Sequence, residues 1–549
     1  MKERNRQFYI LLFVLAIVVN LAGISVKFFT DDPGLYASIA KSFIYKKELL
    51  GLFTYNQAWL DKPHFPFWVI LCSFKIFGIS AWAYRLPALF FFALSVVYTF
   101  LFTKKHYGFE VAAIAALILM TALNSLMSNV DVRAEPYLMG LIIGSIYHLS
   151  RLEERFSITD LLLTALFTAC AMMTKGVFVI VPIYGALLGQ LLLQHKLKHL
   201  FNFKWIVLIL LTAIFILPEL YALYVQFDLH PEKLVFGRHN VSGIKWFFWD
   251  SQFGRFANSG PIKRQSGDIF FYVHTLLWAF APWCLLFYYA IFKNLKEIVL
   301  KRKMAEYYTL SGGLLLLLLF SVSGFQLPFY TNSIFPLFAI ITAPYCYMQL
   351  SKFGTKFRLI GQWLYIVLLP LAIIAINCFM RPVNQFYFAF DCLIFGILIY
   401  LIVTRIKEDY KRVFMLSCAV ILFANFYLNT VFYEQLTVYK GQITAADYAN
   451  QKNFDKYHLY SLRMENNIFQ FYCKRPVDYV PLEQFSTFKP ADSSAFYVSQ
   501  QSMDQLVQAH ADFKVIKAFP NFPQENMSLK FINLATRQTT LDHVYLITK

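Results

Sequence analysis

Acidic and basic side chains recur just outside the apolar segments of this chain, where their types suit group-transfer chemistry. The stretch TDDPGLYASIAKS places Asp31 and Asp32 directly after the first apolar segment, ahead of a helix expected to begin near Pro33. Two adjacent acids at that position suit a general base or a metal ligand. They suit the start of a helix equally well, because aspartate before proline is a common N-terminal signal.

More ionisable residues flank the short polar gaps that follow. They are Asp61 and Lys62 in WLDKPHFPFW, Arg85 in AYRLPALF, and Asp131, Arg133 and Glu135 in NVDVRAEPYLMG. Lysine and arginine at the end of an apolar segment commonly snorkel toward lipid headgroups. A salt-bridged turn would explain the acids and the arginine of the third stretch. Each stretch alone therefore has a structural explanation beside the chemical one.

Three later stretches add to this set. Lys175 in TKGVFVIVP stands in a gap so short that it must lie at or just below the membrane surface, where an ionisable side chain is costly and indicates a function. Arg255 lies in the long polar stretch WDSQFGRFANSG, and His274 follows near a helix end, where histidine is more often structural. SGFQLPFYTNSIFP offers Gln326 and Tyr330 between two prolines.

Taken together, these residues predict a site that combines carboxylates with fixed positive charges. The carboxylates can activate a nucleophile or hold a metal, and lysine and arginine can bind a phosphate group at headgroup height. A substrate with an apolar tail would reach such a site from within the bilayer. The combination favours a lipid phosphate that carries a transferable group.

The elements that position these residues are expected to be membrane helices. Of the 549 residues, 58% are hydrophobic and only 15% are charged, whereas soluble proteins have about 25% charged residues. The net charge of +18 is spread over short gaps between apolar runs, which is the pattern of membrane topology and excludes a nucleic-acid partner. Most of the eight cysteines lie in or near apolar runs, so no disulfide framework is expected.

Thirteen segments are apolar and long enough to be predicted as membrane spans. They lie at roughly 8–26, 85–103, 110–127, 136–150, 159–174, 177–194, 203–223, 269–292, 307–323, 328–348, 358–379, 385–404 and 412–432. Alternate gaps between them are rich in lysine and arginine, which places those gaps and the N-terminus in the cytoplasm. The candidate site residues then all lie on the opposite, extracytoplasmic side.

This count predicts an all-α polytopic membrane domain over residues 1–432, with interfacial helices in the long outer loops 27–84 and 224–268. Residues 433–549 lose the long apolar runs and gain alternating stretches such as KYHLYSL, SAFYVSQ, FKVIKAF and HVYLITK. They are predicted to form a small soluble α/β domain outside the membrane. We expect a bacterial inner-membrane protein with its site and this domain in the periplasm.

Seven motifs in sequence order resemble those of the GT-C membrane glycosyltransferases, specifically the superfamily of protein O-mannosyltransferases and lipid A aminoarabinose transferases. They are Asp32 with Tyr36, Ala37 and Ile39; Asp61-Lys62-Pro63; Arg85-Leu86-Pro87; Arg133 with Glu135-Pro136; Thr174-Lys175-Gly176; Ala281-Pro282-Trp283; and Leu327-Pro328 with Tyr330 and Pro336. The chain departs from the pattern at two positions. Pro33 follows Asp32 where the family often has glutamate, and Gln326 stands where it tends to have lysine.

The resemblance implies an enzyme that uses a polyprenyl-phosphate sugar on the extracytoplasmic face. By position, Asp32 would be the principal catalytic acid and Glu135 the second, with Lys62, Lys175 and Arg255 binding the donor phosphate. Supporting residues would be Asp31, Tyr36, Asp61, Arg85, Asp131, Arg133, His274, Gln326 and Tyr330. No cofactor is certain; a divalent metal ion, if one is used, would bind Asp32 and Glu135.

The predicted reaction is the transfer of a sugar to a lipid, glycan or protein acceptor, with inversion in one displacement. Partners are the polyprenyl-phosphate sugar donor, membrane lipid and that acceptor. A transporter or flippase for a lipid-linked sugar is the alternative, although transporters usually bind at the bilayer midplane between repeated halves. A receptor or scaffold that acts through residues 433–549 is a third hypothesis.

Overall fold

The structure is a computed structural model that describes residues 3–263, 267–489, 493–523 and 527–549. Up to residue 437 it is built almost wholly of helices. Their bounds are α1 Glu3–Ala22, α2 Asp31–Lys46, α3 Phe65–Phe77, α4 Ala81–Tyr107, α5 Phe109–Met120, α6 Leu123–Ser128, α7 Glu135–Glu154, α8 Ile158–Lys175, α9 Ile180–Leu193, α10 Phe203–Phe215, α11 Leu217–Leu223, α12 Gly243–Lys245, α13 Ser251–Phe256, α14 Phe271–Ala279, α15 Cys284–Val299, α16 Tyr308–Val322, α17 Phe335–Tyr347, α18 Lys352–Met380, α19 Phe386–Arg405, α20 Asp409–Tyr427 and α21 Tyr433–Thr437.

Among the described residues, six helical runs are long and apolar enough to cross a membrane. They are Ala81–Tyr107, Ile158–Lys175, Phe203–Asp228, Lys352–Met380, Phe386–Arg405 and Asp409–Thr437. Shorter apolar helices accompany them, including Phe109–Met120 and Tyr308–Val322. Only 22% of the most apolar window of α18 and of α19 is buried within the protein. Their remaining apolar side chains face outward, as expected for helices in contact with lipid.

Each of the thirteen predicted spans coincides with one or more helices, although several are broken. The segment 203–223 divides near Ile216 into α10 and α11, and the segment 269–292 divides into α14 and α15. The segment 328–348 opens with a 3-10 turn at Pro328–Ile334 before α17 begins. Thirteen membrane crossings, and the division into residues 1–432 and 433–549, stay predictions.

The core lies around α7, α17 and α20, whose residues are buried along nearly their whole length. Between α1 and α4, the chain folds into α2, a two-stranded antiparallel hairpin (β1 Phe53–Thr54, β2 Gln57–Ala58) and α3. Two predicted features are thus observed in this loop: a helix at the paired aspartates, and a helix in the proline-broken aromatic stretch. The first begins at Asp31 rather than at Pro33.

The remaining chain forms a five-stranded mixed sheet with short helices. The helices are α22 Gly441–Ala449, α23 Asn467–Tyr472, α24 Gln500–Gln508 and α25 Leu529–Ile532, and the strands are β3 His458–Ser461, β4 Val477–Tyr479, β5 Ser494–Ser499, β6 Lys514–Asn521 and β7 Asp542–Thr548. The strand order is β4-β3-β5-β7-β6, with β3 parallel to β4 and β5, and β7 antiparallel to β5 and β6. All four stretches predicted as strands are strands; β4 was not predicted.

Candidate active site

Asp32 lies in the first turn of α2 and is held by an arginine from the loop before α7. The Arg133 guanidinium contacts the Asp32 carboxylate at 2.6 Å and that of Asp131 at 3.1 Å. The Thr30 hydroxyl donates to Asp131 from the other side. Burial opposes ionisation of Arg133, but the neighbouring carboxylates outweigh it and raise its pKa. The Asp32 side chain is 47% exposed, so its carboxylate is both fixed in position and open to a reactant.

Lys175 and Glu135 form a buried ion pair beside it. The Lys175 ammonium donates to the Glu135 carboxylate, and their side chains are only 6% and 2% exposed. The same ammonium lies 3.9 Å from the ring centroid of Tyr330. α8 ends at Lys175 because the next residue, Gly176, has φ of 110°, a left-handed conformation that favours glycine. The chain turn thereby fixes the lysine at the end of its helix.

A third cluster brings Asp61 between two cations. Its carboxylate accepts from the Lys62 ammonium at 2.7 Å and from the Arg255 guanidinium in α13. Burial would raise the pKa of Asp61, but Arg255 and Lys62 together hold it below its usual value. Burial and then the nearby Arg255 lower the pKa of Lys62 to about 8. Two cations and one carboxylate leave this cluster with a net positive charge.

The three clusters meet in one region. The Phe329 ring has the Arg133 guanidinium 4.1 Å from its centroid and the Lys175 ammonium 5.9 Å from it. A narrow cleft is lined by Asp61, Lys62 and Lys175 together. The structure therefore brings together residues from the α2 start, the turn before α3, the loop before α7, the end of α8, and α13.

A larger and mostly apolar cavity of about 310 Å³ opens next to this charged region. Most of its lining side chains are aliphatic or aromatic: Val177, Phe178, Ile180, Val181, Phe248, Phe253, Phe256, Leu319, Phe320, Phe325 and Tyr330. The uncharged polar lining residues are Ser251, Gln252 and Ser323. Among the described residues, the charged side chains that line the cavity are those of Lys175 and Arg255. A ligand with an apolar chain and an anionic end matches that distribution.

Tyr36, predicted as a supporting residue, is buried one turn after Asp32. Its ring packs edge-on against Phe67 and Trp59, with centroids 5.3 and 6.4 Å away. Burial and then the nearby carboxylates, that of Asp32 first, raise the pKa of the phenol. Tyr36 therefore stays neutral and able to donate a hydrogen bond beside the acids.

Three other residues predicted to support the site, Arg85, His274 and Gln326, lie outside the charged clusters and the cavity lining. Arg85 is buried and donates to the backbone carbonyls of Ile24, Val26 and Val130, so it joins chain segments rather than lining the cavity. His274 is mostly exposed, and its nearest acid is Asp268 at 3.7 Å. Gln326 donates to the backbone carbonyls of Asp268, Phe320 and Ser321.

Asp31 faces a different part of the protein from Asp32. It lies near Tyr55 and Tyr497, whose phenol pKa is raised mainly by burial, with a smaller contribution from the Asp31 charge. Those two tyrosines belong to the core of the C-terminal sheet region. The adjacent acids are thus divided between two environments.

One buried pair of side chains near the site was not predicted from the sequence. His64 and Glu219 are both fully buried, and Glu219 lines the cleft with Lys62. Its carboxylate accepts from the His64 ring Nδ1 at 3.0 Å and from the His64 backbone N–H at 2.9 Å, while the His64 Nε2 lies 3.0 Å from the Leu50 carbonyl. Both ring nitrogens lie within hydrogen-bond distance of an oxygen, so the ring is held on both sides. The two residues are 155 positions apart, and the sequence carries no signal of their contact.

The side chains present do not fit a metal site. Asp32 and Glu135 are each paired with a cation of their own, Arg133 and Lys175. Across the described ranges, no three His, Cys, Asp or Glu side chains come together in a group that could hold a metal ion. A metal bound by Asp32 and Glu135 stays a prediction from sequence.

Sequence comparisons identify known proteins that are similar to this chain. The family model described as dolichyl-phosphate-mannose-protein mannosyltransferase matches residues 61–221. An uncharacterised protein of Aquifex aeolicus is 25% identical over 456 residues, which cover 81% of this chain and 82% of that protein. The undecaprenyl phosphate-α-4-amino-4-deoxy-L-arabinose arabinosyl transferase of Yersinia pestis is 23% identical over 328 residues. That match covers 59% of this chain and about half, 55%, of the transferase.

The fold itself is matched by a solved structure. The crystal structure of ArnT from Cupriavidus metallidurans bound to undecaprenyl phosphate superposes with a TM-score of 0.75. The superposition covers 98% of this chain and 97% of ArnT at 16% sequence identity. The resemblance to the protein O-mannosyltransferase and aminoarabinose transferase superfamily is thereby confirmed. At 16% identity, the structural match shows a shared fold and nothing more.

Proposed function

We propose that this protein is a glycosyltransferase that moves a sugar from a polyprenyl-phosphate donor to an acceptor at the extracytoplasmic face of the membrane. One observation carries the proposal: within the described part of the chain, the charged residues that line the apolar cavity are Lys175 and Arg255, both cations. An isoprenoid chain fits the walls, and its phosphate fits the cations. The arabinosyl transferase is named for undecaprenyl phosphate and the ArnT crystal structure has undecaprenyl phosphate bound, which supports this donor class.

The donor phosphate is held by Lys62, Lys175 and Arg255. Asp61 and Glu135 orient these cations before the donor arrives, since each carboxylate already contacts one or two of them. Preorganised charges in a water-poor site stabilise developing negative charge more strongly than charges in water do. The two acids thus contribute through the lysines and the arginine that they position.

The transfer step breaks the bond between the anomeric carbon and the phosphate oxygen, and the bonding electrons leave with the phosphate. That leaving group needs no proton, but its negative charge must be neutralised. The three cations supply this neutralisation. The acceptor oxygen forms the new bond to the anomeric carbon from the opposite side, so the configuration inverts. A hydroxyl acceptor gives its proton to Asp32, which is exposed and fixed by Arg133.

The test of this proposal is an assay on the purified protein in detergent. It is supplied with a panel of synthetic polyprenyl-phosphate sugars and cell-envelope acceptors, and the products are identified by mass spectrometry. A sugar-modified acceptor together with free polyprenyl phosphate is expected. Formation of this product by the purified protein would exclude a flippase, because a flippase only moves a lipid across a membrane and detergent contains no membrane. No product with any donor would overturn the proposal.

Asp32→Asn should reduce turnover by about 10²- to 10⁴-fold, the usual contribution of a general base. The matched control is Asp447→Asn, because Asp447 is also an exposed carboxylate paired with a cation, Lys27. The control should keep normal turnover. Near-normal turnover of Asp32→Asn, with correct folding, would remove the catalytic assignment.

A further inference from the structure

α2, which carries Asp32 at its start, is buried against the short helix α23 of the C-terminal sheet region. Lys41 in α2 is only 4% exposed. Its ammonium donates to the backbone carbonyls of Gln470 at 3.2 Å, of Phe471 at 2.9 Å, and of Cys473. An ammonium has three N–H donors, so all three are used.

The accepting carbonyls belong to the last turn of α23 and the residue that ends it. Carbonyls at a helix C-terminus have no partner within the helix and carry partial negative charge, which a lysine can satisfy. In the described part of the chain, the partners of the Lys41 ammonium are these three backbone carbonyls and no carboxylate. Lys41 therefore joins two chain segments by binding the end of one helix with a side chain from the middle of another.

Other contacts fix the same two segments along their length. The Ser38 hydroxyl donates to the Asn467 carbonyl at 3.2 Å, and the Tyr45 hydroxyl donates to the Lys474 carbonyl at 2.8 Å. At Gly34, two residues after Asp32, a Cβ would lie 3.0 Å from the backbone nitrogen of Ile468. The start of α2 therefore approaches α23 so closely that only glycine fits without a shift.

We propose that Lys41 is a positioning residue for sugar transfer, and that the C-terminal sheet region is needed for activity because α23 holds α2 with Asp32 in place. This rests on the proposed function, since it assigns Asp32 to the transfer step. The donor-binding cations come from other elements. Loss of the Lys41 contact should therefore lower turnover and leave donor binding intact.

The experiment compares Lys41→Met with Lys46→Met, an exposed lysine at the end of the same helix, in the full-length protein. Lys41→Met should lower kcat at least tenfold and change the KM for the donor by less than twofold, whereas Lys46→Met should match the wild type. Lys41→Arg, which keeps a cation with several N–H donors, should recover part of kcat. The proposal would be overturned if Lys41→Met and Lys46→Met had the same kcat, or if Lys41→Met changed only the KM for the donor.

Hydrogen–deuterium exchange without substrate gives a readout that is independent of the activity. Lys41→Met should raise exchange in residues 31–46 and in residues 467–473, and unchanged exchange in both would refute the positioning role. If the wild type makes no product, the proposed function fails while this measurement still decides whether Lys41 holds the two helices. If Lys41→Met does not fold, Tyr45→Phe, which removes one hydrogen bond of the same contact, should show the same changes to a smaller degree.

Discussion

At the scale of single residues, the site is organised by charge pairing before any substrate binds. Glu135 is the informative case, since sequence predicted it as a catalytic acid and the structure buries its carboxylate against Lys175. Breaking a buried pair costs about 3–5 kcal/mol, because the remaining charge is left without a partner. Loss of activity in a Glu135 variant would therefore mix a catalytic effect with a structural one. The exposed Asp32 allows a cleaner test of catalysis.

Lys62 should make donor binding sensitive to pH. Its pKa, lowered to about 8 by burial and by Arg255, means that its positive charge is present below pH 8 and is lost as the pH rises. The dissociation constant of a polyprenyl phosphate should therefore increase between pH 7 and pH 9.5, as measured by equilibrium binding. Lys62→Ala should bind more weakly at pH 7 and lose this dependence, and Lys27→Ala, a control on the same side, should retain it. A flat profile in the wild type would contradict a phosphate-binding role for Lys62.

At the scale of elements, local sequence signals predicted the helices and strands well, but they could not predict contacts between residues far apart in the chain. The apolar segments, the helix at Asp31 and four of the five C-terminal strands follow from hydrophobic periodicity and turn residues. The cavity could not be predicted, because its walls come from α9, α13, α16 and the 3-10 turn before α17. Arg85 shows the same limit: a charged residue in a recognisable motif binds backbone carbonyls instead of substrate.

The pair of His64 and Glu219 links α11 to the chain segment that presents Lys62. Glu219→Gln replaces the carboxylate that contacts both the His64 ring and the His64 backbone N–H, so the hold on this segment should weaken. We expect donor affinity to fall about tenfold, a loss of about 1.4 kcal/mol, with kcat changed much less. Glu232→Gln is the matched control, because Glu232 pairs with His230 at the same 3.0 Å distance but is exposed. Equal donor affinity in Glu219→Gln and the wild type would show that the pair does not position Lys62.

At the scale of the whole molecule, the positive-inside pattern predicts that the site and the C-terminal sheet lie together on the extracytoplasmic side of the membrane. This orientation can be tested by labelling engineered cysteines in intact spheroplasts. The labelling of each variant is compared with that of the parent chain, which has only its natural cysteines. Gln508→Cys, in α24, should react with a membrane-impermeant maleimide added outside. Lys303→Cys, in a basic gap, should react only after permeabilisation. The reverse pattern would put the site in the cytoplasm and exclude the proposed face.

The central claim is that an isoprenoid phosphate lies with its chain in the apolar cavity and its phosphate among Lys62, Lys175 and Arg255. Photo-crosslinking with a polyprenyl phosphate that carries a diazirine on its first isoprene unit, followed by peptide mass spectrometry, tests it most directly. Crosslinks should fall in residues 175–181, 248–256 and 319–330, and Val181→Trp, which fills the cavity, should reduce them. Crosslinks confined to the outer faces of α18 and α19, unaffected by Val181→Trp, would contradict the account.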